Sequence, residues 1–295
     1  MASARIKGLV LSGGKGTRLR PLTHTAAKQL VPVGNRPILF HVLDNLKNAA
    51  VEDVGIVISP ETGNAVREAV GDGRAWGMNL EFIMQSEPLG LAHAVKVARY
   101  FLGRDSFVMY LGDNLIGSGI REHLERFVSS GADASILLKD VDNPSSFGIA
   151  EVDEDQRVIR LVEKPKNPKS SLALVGIYFF TEQIHEAITT IVPSWRGELE
   201  ITDVNRHYLR RGKLDVKLIG RGMAWLDTGT HEALLDASMF IETIEKRQGL
   251  KVSCPEEIAY RMGFIDAAAL ESLAASMQGN AYGSYLLDVL REAPR

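Results

Sequence analysis

The 295-residue chain is 45% hydrophobic and 24% charged, enough apolar material for a full core, which excludes a disordered or fibrous protein. Its 34 basic and 37 acidic residues leave a net charge of −3 with no long single-sign block, so no nucleic-acid groove or basic membrane patch is expected, whereas small anionic ligands fit. One cysteine, Cys254, excludes an intramolecular disulfide framework, the start MASARIKG lacks the apolar segment of a signal peptide, and no apolar run reaches the roughly 20 residues of a membrane span, so a cytoplasmic location is expected.

Through the first half, short apolar runs alternate with helical patterns. IKGLVLS predicts a strand, PILFHVLDNLKNA a helix, VGIVIS a strand, NAVREAV a helix, NLEFIMQ a strand, LGLAHAVKVARYFL a helix, SFVMYLGD a strand and IREHLERFVSS a helix. This is the rhythm of a doubly wound, mainly parallel α/β sheet. Leu91, Ala94, Val95, Ala98, Phe101 and Leu102 share one helical face, as a packed crossover helix requires. In such sheets ligands sit beyond the carboxyl ends of the strands, where LSGGKG, MQSEPLG and LGDN fall.

The second half is less regular. ASILLKDV, FGIAEV, VIRLVEKP, ALVGIYFF and LDVKLIG predict strands ahead of AWLDTG, extending the sheet with antiparallel or edge pieces that close over the crevice. From about residue 231 the pattern is helical, which divides the chain into a core of residues 1–230 and a helical segment of residues 231–295. Tyr282, Tyr285, Leu286, Val289 and Leu290 follow i, i+3, i+4, i+7, i+8, so the tail is expected to dock by an apolar face.

Residues 11–33, LSGGKGTRLRPLTHTAAKQLVPV, carry four basic side chains and no acidic one. Glycines with accessible N–H groups beside cations suit an anion with several oxygens, commonly a polyphosphate. A Walker A loop needs Lys-Ser or Lys-Thr directly after GxxxxG, but Gly8 to Gly13 is followed by Gly14 and Lys15-Gly16. A dinucleotide fingerprint starting at Gly14 meets Leu19 at its third glycine and has no carboxylate about 20 residues on. The stretch is therefore an ordinary strand-to-helix turn or a different phosphate loop, with Arg18 and Lys28 in the same site.

Asp113 in YLGDN and Asp227 in AWLDTG stand at strand ends. Together they would form a hard oxygen site for one Mg²⁺, which binds through one or two carboxylates plus substrate phosphates. Separately, each reads as an ordinary helix cap. With Arg18, Lys28 and Lys164 they make a phosphoryl-transfer set, and a phosphate oxygen attacking a phosphate needs no general base. No GxSxG, CxxC or HExxH motif offers other chemistry. Lys164 also reads as a solvated turn before Pro165. Gln85 ends a strand with a donor and an acceptor that match the imide edge of a pyrimidine, while Glu163 can accept from sugar hydroxyls; both also read as surface residues.

The series LSGGKGTRLRPLTHTAAKQLVPV, YLGDN, VEKP, RGELEITDVN and AWLDTG, in that order, resembles the bacterial glucose-1-phosphate thymidylyltransferases over nearly the whole chain. The first, LGDN and EKP segments recur across the sugar nucleotidyltransferases, and GELEITDVN with CPEEIAYR narrows the resemblance to the thymidylyl branch. The resemblance implies a Rossmann-like mixed sheet with an antiparallel sugar-binding extension, and transfer from dTTP to glucose 1-phosphate with Mg²⁺. It also implies roles. Gly13 and Gly14 would cradle base and phosphates beside Leu11, Arg18 would hold the departing pyrophosphate, and Lys28 would steady the triphosphate. Gln85 and Gly90 would read the pyrimidine, and Asp113 and Asp227 would bind the metal. Gly148, Glu163, Val175 and Tyr178 would line the sugar subsite, with Lys164 and Arg196 on its phosphate.

THTAAKQLVPV, PLGLAHA and KSSLALVGIYFF resemble the longer antibiotic-sugar members of that family, whereas residues 249–292 resemble the tail of its short tetrameric members. A homotetramer is expected, with residues 231–295 serving assembly and regulation. Positions matching an inter-subunit nucleotide site of the short members are Gly220, Arg221, Glu257 and Arg261, but residues 114–119 read NLIGSG in place of that site's aromatic and histidine pattern. Three alternatives stay open: a uridylyltransferase sharing every catalytic residue, a non-catalytic sugar-nucleotide sensor and, disfavoured by the failed fingerprint, an oxidoreductase. The intact Asp113 and Asp227 argue against the sensor.

Overall fold

The computed structural model describes residues 6–14, 16–24, 26–117, 119–220, 223–252, 254–261 and 263–291. Its strands are β1 Ile6–Leu11, β2 Pro32–Val33, β3 Arg36–Pro37, β4 Asp53–Ile58, β5 Asn79–Met84, β6 Ser106–Leu111, β7 Asn114–Ile116, β8 Ala134–Asp140, β9 Gly148–Val152, β10 Val158–Glu163, β11 Leu172–Phe180, β12 Leu214–Leu218 and β13 Trp225–Asp227. The helices are α1 Ile38–Asn48, α2 Gly63–Val70, α3 Leu91–Val97, α4 Arg99–Leu102, α5 Arg121–Ser130, α6 Ile184–Thr189, α7 Ile201–Arg210, α8 His231–Gln248, α9 Pro255–Arg261, α10 Ala267–Ser276 and α11 Ala281–Arg291.

Nine strands form one mixed sheet. Its path is β10-β9-β11-β6-β1-β4-β5, with β8 paired to β11 and β12 paired to β8. The segment β6-β1-β4-β5 is parallel, and β9, β10 and β11 are antiparallel to their neighbours, as the sequence pattern predicts. Alternation along the strands supplies two cores, one per face. Val10, Ile56, Tyr110 and Phe179 meet α1, α2 and α5 through Leu39, Leu43, Leu46, Val66 and Phe127. Leu9, Val57, Met109 and Phe180 meet α3, α6 and α7 through Val95, Ile184, Ile188, Val204 and Tyr208.

Two helical details differ from the sequence reading. The crossover predicted as one helix breaks at Ala98 into α3 and α4 and stops at Gly103, whose φ of 59° suits glycine. Helix α7 escapes the apolar pattern because its buried face, Ile201, Thr202, Val204, Asn205 and Tyr208, includes two polar side chains.

The chain divides into two compact units, Met1–Ser238 and Met239–Arg295, within the length of α8. In the second unit Cys254, Leu270, Ala274, Leu286 and Val289 are buried together, with Tyr282, Tyr285 and Leu290 packed against them, so the tail docks by the face its spacing predicts. The Asp266 carboxylate caps α10 by accepting from the Ala269 N–H at 2.8 Å. Among the described residues no helix is long and apolar enough to cross a membrane.

Leu286 is fully buried in this small cluster. Leu286→Ala is expected to destabilise the α9–α11 unit by about 2–4 kcal/mol, seen as faster amide hydrogen exchange across residues 255–291. Unchanged protection there would show that the unit does not rest on this contact.

Candidate active site

Strand β1 lies between β4 and β6, where the order of the parallel strands reverses and the chain leaves in opposite directions. A crevice of 620 Å³ opens there, lined by Leu11 at the end of β1 with Gly13 and Gly14 beyond it, Gln85 after β5, and Leu111, Asp113 and Asn114 from the end of β6 to the start of β7. Its far wall comes from β11. One edge of that strand follows β8, while the other is shared, with β6 holding Ile177–Phe180 and β9 holding Ala173. Pairing shifts between Leu174 and Tyr178, and Gly176 lies in that gap. A Cβ on Gly176 would stand 2.5 Å from Asn114 Oδ1, so only glycine leaves the turn after β6 in place.

The centre is a pair of acids far apart in sequence. Strand β13 pairs antiparallel with β7, Asp227 opposite Asn114, and Thr228 donates to the Asp113 carbonyl through its backbone N–H at 3.1 Å and its hydroxyl at 2.9 Å. Asp113 is buried and ion-paired with the Lys28 ammonium. Burial alone would raise its carboxyl, but the Lys28 charge and hydrogen bonds from Lys28, its own backbone and Asn114 hold it below the usual range. Asp227 goes the other way. Burial and then the Asp113 charge push it up to about 6, against the pull of Lys28, Arg18 and Lys164. A chain of contacts orients the pair: Trp225 Nε1 donates to Asn114 Oδ1 at 2.7 Å, and Asn114 Nδ2 donates to Asp113 Oδ1 at 3.2 Å.

The basic side chains approach from the loop after β1 and the turn after β10. The Lys28 stem lies along Gly14, where a Cβ would be 3.1 Å from Cε. The Arg18 guanidinium covers Gly229, whose Cβ would be 2.6 Å from Nη2 and 3.3 Å from Asp227 Oδ1. Lys164 takes φ 39°, a left-handed conformation rare outside glycine, with its N–H donating to the Phe147 carbonyl at 3.1 Å.

At the other end the acids outnumber the bases. Arg196 contacts Glu198 at 2.6 Å, and Glu163 and Glu200 at 3.5 Å each, so its guanidinium already faces three carboxylates. Glu163 also accepts from Thr202 Oγ1 at 2.6 Å and lies 3.8 Å from Lys164. Burial, with the Glu163 charge adding, raises Glu200 despite Ser194 and Arg196. Tyr178 is raised by burial first and then by the charges of Glu163 and Asp227. Gln85 donates to the Gly90 carbonyl at 3.2 Å, and Gly90 at φ 101° presses on the Leu199 backbone, leaving no room for a Cβ.

The sequence pattern of the Nucleotidyl transferase family matches residues 7–244. The chain belongs to that family. It is 45% identical over 97% of its length to the glucose-1-phosphate thymidylyltransferase of Mycolicibacterium smegmatis, covering 99% of that protein. The namesake from Streptomyces antibioticus is 50% identical over 82% of this chain, which spans only 68% of that longer relative. Among solved structures, a Bacillus anthracis protein described as a glucose-1-phosphate thymidylyltransferase, in complex with a sucrose, superposes with a TM-score of 0.75 at 37% identity, over 80% of this chain and 94% of its own. A UDP-glucose pyrophosphorylase complexed with UDP-glucose shares the fold, with a TM-score of 0.72 at 22% identity over 81% of this chain and 99% of its own.

Within this family member, Leu11, Gly13, Gly14, Arg18, Lys28, Gln85, Gly90, Asp113, Gly148, Glu163, Lys164, Tyr178, Arg196 and Asp227 all line the one crevice. Val175 does not: its side chain packs in the core beneath α1 and α5, and only its neighbours Leu174 and Gly176 reach the cavity. Glu257 accepts from Arg261 Nε at 2.7 Å on α9 and from the Tyr285 hydroxyl. Gly220 accepts from Lys139 Nζ at 3.4 Å, and Arg221 lies outside the described residues. Asn114, Trp225, Gly176, Thr202, Glu198 and Gly229 were not singled out from the sequence. Their signals are glycines and polar groups inside motifs already recognised, such as LGDN and AWLDTG.

Gly229→Ala is expected to displace the Arg18 guanidinium that covers Gly229 and lower turnover at least tenfold, with the thermal transition kept within a few degrees. Wild-type turnover would show that Arg18 acts from another position.

Proposed function

We propose that this chain transfers a thymidylyl group from dTTP to glucose 1-phosphate, giving dTDP-glucose and pyrophosphate. The observation that carries this reading is the convergence of Asp113 and Asp227 with Lys28, Arg18 and Lys164 in one crevice, in a chain that shares 97% of its length with a protein named for that reaction. An oxygen of the sugar phosphate attacks the α-phosphorus as the bond from that phosphorus to the bridging oxygen of the β-phosphate breaks, and pyrophosphate leaves with that electron pair. The attacking oxygen is already ionised, so catalysis rests on alignment and charge neutralisation.

Lys28 steadies the triphosphate, Arg18 meets the charge that grows on pyrophosphate, and the N–H groups of Gly13 and Gly14 address nucleotide oxygens. Gln85 and the Gly90 backbone read the base. Glu163, Tyr178 and the Gly148 backbone meet the sugar. Lys164 takes the sugar phosphate, because Arg196 is held by three carboxylates and must release at least one to share that task. A buried and a half-buried carboxylate with a single ion-paired lysine fit a hard divalent cation, which we assign as Mg²⁺ held by Asp113 and Asp227. Among the described residues no group of three or more acidic, histidine or cysteine side chains is arranged for a metal, so the ion's other ligands would have to come from substrate or solvent. Bound there, the ion neutralises phosphate charge and makes the α-phosphorus more electrophilic.

Assembly as a homotetramer is proposed from the tail, with weak feedback control at Gly220, Arg221, Glu257 and Arg261. Leu115 and Ile116 are buried in β7 and offer no stacking surface to a base. Sedimentation near four chain masses supports the assembly, and a stable monomer refutes it.

Pyrophosphate release from dTTP and glucose 1-phosphate is expected only with a divalent cation, and full activity in excess chelator would overturn the assignment. Asp113→Asn and Asp227→Asn should each cut turnover by orders of magnitude in a folded protein, and near-wild-type rates in both would return these residues to helix-capping roles. Arg18→Ala should lower kcat more than it raises the KM for glucose 1-phosphate; a change confined to that KM would contradict its place on the leaving group.

A further inference from the structure

Gln85 stands one residue beyond β5, with its backbone fixed by donation to the Ile58 carbonyl at 2.9 Å. Its amide nitrogen has two protein partners, the Gly90 carbonyl at 3.2 Å and His93 Nδ1 at 3.0 Å. An amide nitrogen carries two N–H donors and its oxygen only accepts. Both donors are therefore spent inside the protein, and Oε1 remains for a ligand. That oxygen faces the loop after β1, 3.6 Å from the point a Cβ on Gly13 would occupy. The reversed amide would set Oε1 against the Gly90 carbonyl, which can only accept, and leave both oxygens unpaired; with the amide fixed in this way, Nδ1 is the acceptor of its second N–H.

His93 sits on the first turn of α3, one residue before Ala94, which lines the crevice. As an acceptor at Nδ1 its imidazole is neutral and carries its proton on Nε2. The surroundings favour that form: burial and then Lys96 lower the imidazole, against the opposing charge of Glu87.

We propose that His93 is a positioning residue which, with the Gly90 carbonyl, locks the Gln85 amide oxygen toward the nucleotide and so sets the site to accept a base presenting a ring N–H. Thymine and uracil present N3–H to that oxygen; cytosine presents a lone pair at N3 and is repelled. His93 touches no substrate and acts through Gln85. The inference rests on Gln85 as the base-reading residue, and its test separates the two.

The test is steady-state kinetics of His93→Leu, His93→Gln, His93→Lys and Gln85→Leu with dTTP and dCTP. Removing the acceptor in His93→Leu is expected to raise the KM for dTTP about tenfold with kcat within about twofold, and to narrow the preference for dTTP over dCTP by about tenfold. The glutamine at 93 has a side-chain oxygen that can accept from Gln85, so His93→Gln should restore both values. His93→Lys, which puts a donor where the acceptor stood, should repeat the loss and covers the case in which the leucine variant fails to fold. If Gln85→Leu raises the KM for dTTP while His93→Leu and His93→Lys match wild type, the positioning role is wrong. If Gln85→Leu also matches wild type, the base is read elsewhere and both readings fall.

Discussion

Two carboxylates removed from bulk water within electrostatic reach of each other repel, and a fold that keeps them there must supply compensation. Here Asp113 has Lys28 as a direct partner, and Asp227 feels only the more diffuse pull of Lys28, Arg18 and Lys164. The two therefore move in opposite directions, one held ionised and the other raised toward neutrality. Much of the crevice is arranged around that imbalance. The β7–β13 ribbon holds the acids together, Thr228 and Asn114 fix their angle, and the glycines at 14, 176 and 229 let the cations and the turn after β6 close in.

The same crevice is electrostatically divided. Near β1 the loop brings Arg18 and Lys28 against two acids, which suits a triphosphate with a cation. Beyond β9 and β10, Glu163, Glu198 and Glu200 surround one arginine, which suits a hydroxyl-rich group that donates hydrogen bonds. Lys164 lies between these regions in a strained backbone conformation held by its N–H donation to the Phe147 carbonyl. A nucleotide at one end and a sugar at the other would place their phosphates at this boundary.

Much of the fold was legible because its strands are long apolar runs and its crossover helices carry strong periodicity. The mixed second half was legible in content but not in pairing. Nothing in ALVGIYFF announces that β11 exchanges one neighbour for another at Gly176, because that depends on long-range register. Most of the candidate site came from motif residues that the structure brings into one cavity. Val175 misled because alternation along β11 sends its side chain into the core while its neighbours face the crevice. His93 escaped notice because a histidine on a helix face is ordinarily packing, and only its 3.0 Å contact with Gln85 separates it from that reading.

Direct ion binding probes the proposed cation site without passing through turnover. In an electron paramagnetic resonance titration of the chain with dTTP, the account predicts one Mn²⁺ per chain in the wild type. It also predicts an affinity at least tenfold weaker in Asp227→Asn, since a charged ligand is lost from a two-carboxylate site. Equal Mn²⁺ affinity in the two proteins would contradict the pairing of Asp113 and Asp227 as the cation site.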